Sequence, residues 1–165
     1  MQNKELQNSN EVISYIITNL NYNEENGFSF LEIPLHTDIK YILDKIKNPD
    51  NIELESEQQQ TVEYILAINH PTHGLRAHHK LSVLFWAFEK QPIEIIKLHF
   101  SYFNTGEEAE SYSKFIKVLF NQLIEKFGEP SKKSLRNGKE ELNFMKGKAK
   151  MIVWNNTEGL RIQIK

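Results

Sequence analysis

Residues 105–127 read TGEEAESYSKFIKVLFNQLIEKF, and their apolar positions recur at helical spacing. Thr105 and Glu108 fit the capping-box pattern, in which each side chain binds a free amide of the first turn. Gly128 and Pro130 follow, in the order that usually ends a helix. The apolar stripe consists of Tyr112, Phe115, Ile116, Leu119, Leu123 and Phe127. We therefore expect a long amphipathic helix that buries this stripe.

The same pattern occurs earlier on a smaller scale. Residues 36–47 read HTDIKYILDKIK, with Thr37 as the expected N-cap and Pro49 as the stop, and residues 48–60 form a polar acidic connection. Each helix is followed by three strand-like runs: 61–69, 75–89 and 93–103 after the first, and 140–145, 149–154 and 160–164 after the second. The chain therefore contains two helix-plus-three-strand units.

Short connections between the runs favour antiparallel neighbours, because parallel strands need long crossovers. The run LSVLFWAF, residues 81–88, is apolar on both faces and predicts a central strand covered twice. An extra N-terminal helix near residues 10–20 and a strand over 28–33 precede the first unit. We expect an α+β fold, an antiparallel curved sheet with helices on one face. Residues 1–9 should be a flexible N-terminus and 10–165 a single domain.

Composition narrows the classes of partner. The chain has 165 residues, a net charge of −2 and no cysteine, so it has no overall basic field to attract nucleic acid and no thiolate chemistry. No run approaches the roughly 18 apolar residues of a membrane helix, and the N-terminus does not resemble a signal peptide. We expect a cytoplasmic protein, with an exported mature form as the alternative. The abundant Asn, Lys and Ile are typical of AT-rich bacterial genomes.

Four histidines, His70, His73, His78 and His79, fall within ten residues. His78 and His79 lie several residues from the turn that holds the first two, which at about 3.4 Å per residue is too far for shared ligation. No nucleophile elbow and no Gly-rich phosphate loop is present. The expectation is no metal site, no cofactor and no enzymatic activity.

Two features remain as candidate partner sites. Asp50, Glu53, Glu55 and Glu57 form a dense acidic run, for which a solvated connection is favoured over a docking surface. Aromatic residues crowd one hairpin: Phe85, Trp86, Phe88, Phe100, Tyr102 and Phe103. Most of them should be core, with a ligand cup or a partner-binding face centred on Trp86 as the alternative. Trp154 is a second possible anchor.

The stretch GFSFLEIPLHTDIKYILDKI, residues 27–46, precedes the first strand set, and LIEKFGEP, residues 123–130, precedes the second. This order resembles small bacterial α+β domains of the β-lactamase-inhibitor-protein-like kind, which repeat a helix followed by strands in tandem. The resemblance implies an inhibitor or immunity-type role. The prediction is a non-enzymatic protein-binding module. The alternative is a carrier of a small apolar ligand or lipid in the concave sheet, and an enzyme with dispersed catalytic residues ranks third.

Overall fold

The computed structural model of the chain describes residues 9–46, 51–56, 59–67, 80–88, 91–101, 108–137, 139–156 and 159–165. The elements in chain order are α1 (Ser9–Asn19), β1 (Leu20–Asn23), β2 (Gly27–Phe30), β3 (Ile33–Pro34), α2 (Ile39–Lys45), β4 (Asn51–Ser56), β5 (Gln59–Ala67), β6 (Lys80–Phe88), β7 (Ile93–Ser101), α3 (Glu108–Phe127), β8 (Lys132–Arg136), β9 (Lys139–Lys146), β10 (Ala149–Asn156) and β11 (Gly159–Ile164).

The main sheet has eight strands in the order β4-β5-β6-β7-β11-β10-β9-β8. All its neighbours pair antiparallel, including β7 with β11, which joins two four-stranded meanders. Helix α2 precedes the first meander and α3 the second. The predicted α+β class is confirmed, but each helix precedes four strands rather than three.

The two additional strands are the edges of the sheet. The expected acidic connection over 48–60 is wrong for 51–56, which form β4, and for 59–60, which begin β5. Strand β4 is an edge strand of the sheet, and charged residues are common in edge strands. Strand β8 pairs with β9 through a tight turn, in which Arg136 lies opposite Lys139 and Asn137 has a φ of 52°. Asn is among the few residues that adopt this left-handed conformation readily.

A second, three-stranded sheet, β1-β2-β3, lies where the sequence predicted a single strand. The expected strand over 28–33 is interrupted because Leu31 and Glu32 have φ values of 55° and 61°. Gly27 begins β2 with a φ of +74°, and a Cβ at this position would lie 3.1 Å from the Cβ of Ala149 in β10. A residue without a side chain therefore allows the small sheet to approach the large one.

The N-cap of α2 is Asp38 rather than Thr37. The Asp38 side chain accepts a hydrogen bond from the amide of Lys40 at 2.8 Å. Thr37 instead donates its hydroxyl to the carbonyl of Pro34 at 2.7 Å, and its own carbonyl accepts from the amide of Ile93. The residues before α2 are thus tied to β7. The capping box expected at Thr105 lies outside the described residues.

All three helices contribute to one hydrophobic cluster with a single face of the large sheet. From α3, Phe115, Leu119 and Leu123 are buried as predicted. The sheet contributes alternate residues of its central strands: Leu81, Val83, Phe85 and Ala87 from β6, Ile96, Leu98 and Phe100 from β7, and Leu160, Ile162 and Ile164 from β11. No helix in the described part of the chain is long and apolar enough to cross a membrane.

The opposite face of the large sheet carries Leu84 and Trp86, which are half-buried, and Phe88, which is 44% exposed. The apolar run of β6 predicted cover on both faces. None of the described helices provides the second cover, and this face is hereafter the open face.

Candidate functional site

The pairing register places polar and aromatic side chains in rows across the open face. One row runs Ser82, His99, Arg161, Trp154, Glu141 and Ser134. The next runs Leu84, Lys97, Gln163, Ile152, Asn143 and Lys132. The first meander and the second therefore contribute to one continuous surface.

A compact cluster forms around Trp154 in the second meander. The guanidinium carbon of Arg136 lies 4.5 Å from the centre of the Trp154 ring, within the range of a cation–π contact. Arg136 Nε also donates a hydrogen bond to Glu141 Oε2, and Asn143 Nδ2 donates to Glu141 Oε1 at 3.2 Å. Arg136 thus holds a buried carboxylate and an indole ring at the same time.

The Glu141 side chain is 11% exposed, so its charge requires compensation. Burial by itself raises the pKa of Glu141. Hydrogen bonds from Arg136 and Asn143, together with the positive charges of Arg136 and Lys132, outweigh that effect and hold the pKa below its ordinary value. The carboxylate is therefore ionised at neutral pH and fixes the guanidinium against Trp154.

A second aromatic group lies on the first meander. The rings of Trp86 and Phe88 are 6.4 Å apart and tilted by 49°. Trp86 is half-buried, whereas Phe85 and Phe100 are fully buried in the core, which confirms that part of the aromatic cluster is core. Tyr102 and Phe103 lie outside the described residues.

The structure brings part of the acidic run close to Trp86. Glu53 lies opposite Thr61 in β5, and Thr61 lies opposite Trp86 in β6. At about 4.8 Å per strand, the Glu53 backbone is about 10 Å from that of Trp86. Glu55 lies in the same edge strand, within an irregular stretch of pairing between Glu53 and Ser56. Asp50 and Glu57 lie outside the described residues.

Trp86 and Trp154 lie apart on the same face. Three strand steps separate β6 from β10, and Trp86 is four residues along β6 from Ser82, whose row contains Trp154. Strand geometry then gives roughly 14 Å in each direction, or about 20 Å between the two backbones. A standard interface buries about 800 Å² per partner, a patch about 30 Å across, so one partner can contact both tryptophans.

Sequence reasoning missed Arg136, Glu141 and Asn143. Two signals pointed to them. Polar Glu141 and Asn143 alternate with apolar Leu142 and Phe144 in β9, and Asn137-Gly138 is a strong hairpin signal that folds β8 onto β9.

A groove of about 620 Å³ lies between the small sheet and the β9–β10 turn. Phe28, Leu35 and Ile164 contribute apolar atoms to its lining. The lining also contains negatively and positively charged residues: Glu24, Glu25, Glu94, Lys146, Lys148, Lys150 and Lys165. The groove is open and charged, whereas a lipid carrier needs an enclosed apolar space.

Within the described ranges, no group of three or more His, Asp or Glu side chains could hold a metal ion. The four histidines between 70 and 79 lie outside those ranges. Ser82 and His99 are neighbours across β6 and β7, but the Ser82 hydroxyl donates to Glu63 Oε2 at 3.0 Å. This hydroxyl therefore lacks the hydrogen bond to a histidine base that activates a serine nucleophile.

Comparison with models of protein families, with curated proteins and with solved structures finds no match, so the function is argued from the geometry of the open face.

Proposed function

We propose that this chain is a non-enzymatic protein-binding module that docks a partner on the open face of its large sheet. The observation that carries the proposal is the position of Trp86 and Trp154 on this one face, about 20 Å apart. Tryptophan is enriched among the residues that dominate binding energy, and such residues lie near the centre of an interface.

The cluster around Trp154 supports this use of the surface. Arg136 is held by Glu141, so its guanidinium and the adjacent indole lose little conformational freedom when a partner binds. Interfaces built on such preorganised groups retain more of their contact energy. The Arg–Trp pair would therefore act as a rigid anchor.

The acidic strand β4 would act at the rim of the same surface. Glu53 and Glu55 belong to the edge strand two steps from Trp86, so a basic partner would be attracted to this side of the face. Rim charges of this kind change mainly the association rate, and salt weakens their effect over about 8–10 Å at physiological ionic strength.

An inhibitor or immunity-type role is the specific form of the proposal. It rests on the duplicated order of a helix followed by an antiparallel meander, the feature that underlies the resemblance to β-lactamase-inhibitor-protein-like domains. A cytoplasmic location and a bacterial source belong to the same proposal.

The test is affinity capture from native lysate with three versions of the chain. We expect Trp86→Ala and Trp154→Ala each to weaken capture of the same partner by about 30-fold or more, the loss typical of a central interface residue. Val118→Ala is the matched control, because Val118 is an apolar side chain of α3 that is 44% exposed on the helical side. Equal capture by all three variants would show that the partner does not bind at the two tryptophans of the open face. A co-purifying small molecule in place of a protein would favour the carrier.

The role of the acidic run is tested on the captured partner by replacing Glu53, Glu55 and Glu57 with Gln. We expect slower association and a flatter dependence of the association rate on salt, with little change in thermal stability. If neither the substitutions nor salt changes the association rate, the acidic run is not part of the binding site.

A further inference from the structure

The two edges of the large sheet carry opposite charge. Strand β4 reads NIELES and contains Glu53 and Glu55 with no basic residue. Strand β8 reads KKSLR and contains Lys132, Lys133 and Arg136 with no acidic residue. In the described part of the chain, β4 pairs with β5 alone and β8 with β9 alone, so the two are the edge strands of the sheet.

The directions of these two edges favour a further pairing. Because the sheet has eight strands and every neighbour is antiparallel, β4 and β8 run in opposite directions. A second copy placed beside the first in the same orientation therefore brings β8 of one copy antiparallel to β4 of the next. The strands have similar lengths, six and five residues. The two copies would extend one antiparallel ladder.

Charge distinguishes this pairing from the symmetric ones. A β4–β4 contact would oppose glutamates and a β8–β8 contact would oppose lysines, and like charges across paired strands are destabilising. Charged residues commonly protect sheet edges from pairing with one another. Here the charges disfavour pairing of two β4 edges or of two β8 edges, but not pairing of β4 with β8. The unlike pair alone is attractive.

The outer surface of β8 is available for such a contact. All but one of its side chains are exposed, and Leu135 is 74% exposed. Lys133 lies 3.5 Å from Glu129, but both side chains are more than half exposed, so solvent weakens this ion pair and the lysine can exchange partners.

We propose that a second copy of this chain binds through these edges, β4 of one copy adding to β8 of the other. The contact is heterologous, so each pair of copies keeps one free edge of each kind and can grow further. It involves one strand from each side, which is smaller than a standard interface, so association is weak and depends on concentration. The partner proposed for the open face also uses Glu53 and Glu55, but self-association is measured on the chain alone, so either proposal can fail without the other.

Sedimentation velocity of the full chain from about 1 μM to about 1 mM tests the proposal, because contacts below standard size form in this range. We expect the weight-average mass to rise beyond that of a dimer at low salt. The rise should disappear at about 1 M salt, where charges interact over only about 3 Å. A monomer at every concentration in low salt would overturn the proposal.

Charge reversal assigns the contact to the two edges. We expect Lys132→Glu/Lys133→Glu and Glu53→Lys/Glu55→Lys each to abolish association alone, and an equimolar mixture of the two variants to restore it. Lys40→Glu/Lys114→Glu is the control for the Lys132→Glu/Lys133→Glu variant, since it changes the net charge by the same amount at exposed positions on α2 and α3. Circular dichroism verifies that each variant is folded. Association that persists in both edge variants, or a mixture that stays monomeric, would contradict the assignment.

Discussion

Replacing Arg136 with Ala should destabilise the fold by about 2 kcal/mol at neutral pH. The substitution removes a charge-assisted hydrogen bond to the buried Glu141, worth about 1.5–3 kcal/mol, and a cation–π contact with Trp154 worth about 0.5–1 kcal/mol. The two contributions together come to about 2–4 kcal/mol. Because the Arg136 side chain is 46% exposed, solvent screening favours the lower end of this range.

The destabilisation should depend on pH with a definite sign. The pKa of Glu141 lies below its ordinary value in the folded chain, so its contribution to stability is present above the unfolded pKa of about 4.3 and is lost as pH falls through the folded pKa. Removing Arg136 raises the pKa of Glu141 in the folded chain. The difference in unfolding free energy between wild type and variant should therefore shrink below about pH 4.

Urea denaturation followed by circular dichroism between neutral and acidic pH measures this difference, and a thermal midpoint lowered by about 4–8 °C is the corresponding result for a chain of this size. Lys133→Ala is the control on the same strand, because its exposed ion pair with Glu129 should contribute less than about 1 kcal/mol. Equal effects of the two substitutions, or an Arg136 effect that is constant with pH, would refute the proposed role of Glu141.

Two further predictions concern the core. Leu119→Ala should reduce the free energy of unfolding by about 2–5 kcal/mol, because this fully buried leucine lies between α3 and the sheet, and an unchanged denaturation midpoint would show that the buried face of α3 is wrongly assigned. Gly27→Ala should also destabilise, since the new Cβ would meet Ala149 at 3.1 Å and φ is +74°. A thermal midpoint that rises in this variant would show that the small sheet can move away from β10.

The elements whose periodicity reports their burial could be predicted from the sequence. The stripe of α3 follows from one-sided burial, and the structure confirms it for Phe115, Ile116, Leu119, Leu123 and Phe127. Strand β4 was missed because glutamates and polar residues are typical of connections. At a sheet edge the pairing of β4 with β5 supplies the stabilisation that burial supplies elsewhere.

The candidate site was predictable only in part. Trp86 and Trp154 could be named from residue type, and the register shows that they share the open face. The contact of Arg136 with Trp154 could not be inferred, because it depends on β8 folding onto β9 and on the order of strands across the sheet. Such juxtapositions are set by long-range pairing, which local propensity does not encode.

The two tryptophans are the only ones in the chain, and both lie on the open face, so they report directly on the central claim. The measurement is ¹⁹F NMR of chain labelled with 5-fluorotryptophan, with and without the captured partner, and with the two resonances assigned by Trp86→Phe and Trp154→Phe. If the partner docks on the open face, both resonances should shift and both tryptophan side chains should lose solvent exposure in the saturated complex. A saturated complex in which both resonances remain unchanged would contradict the proposal that this face binds the partner.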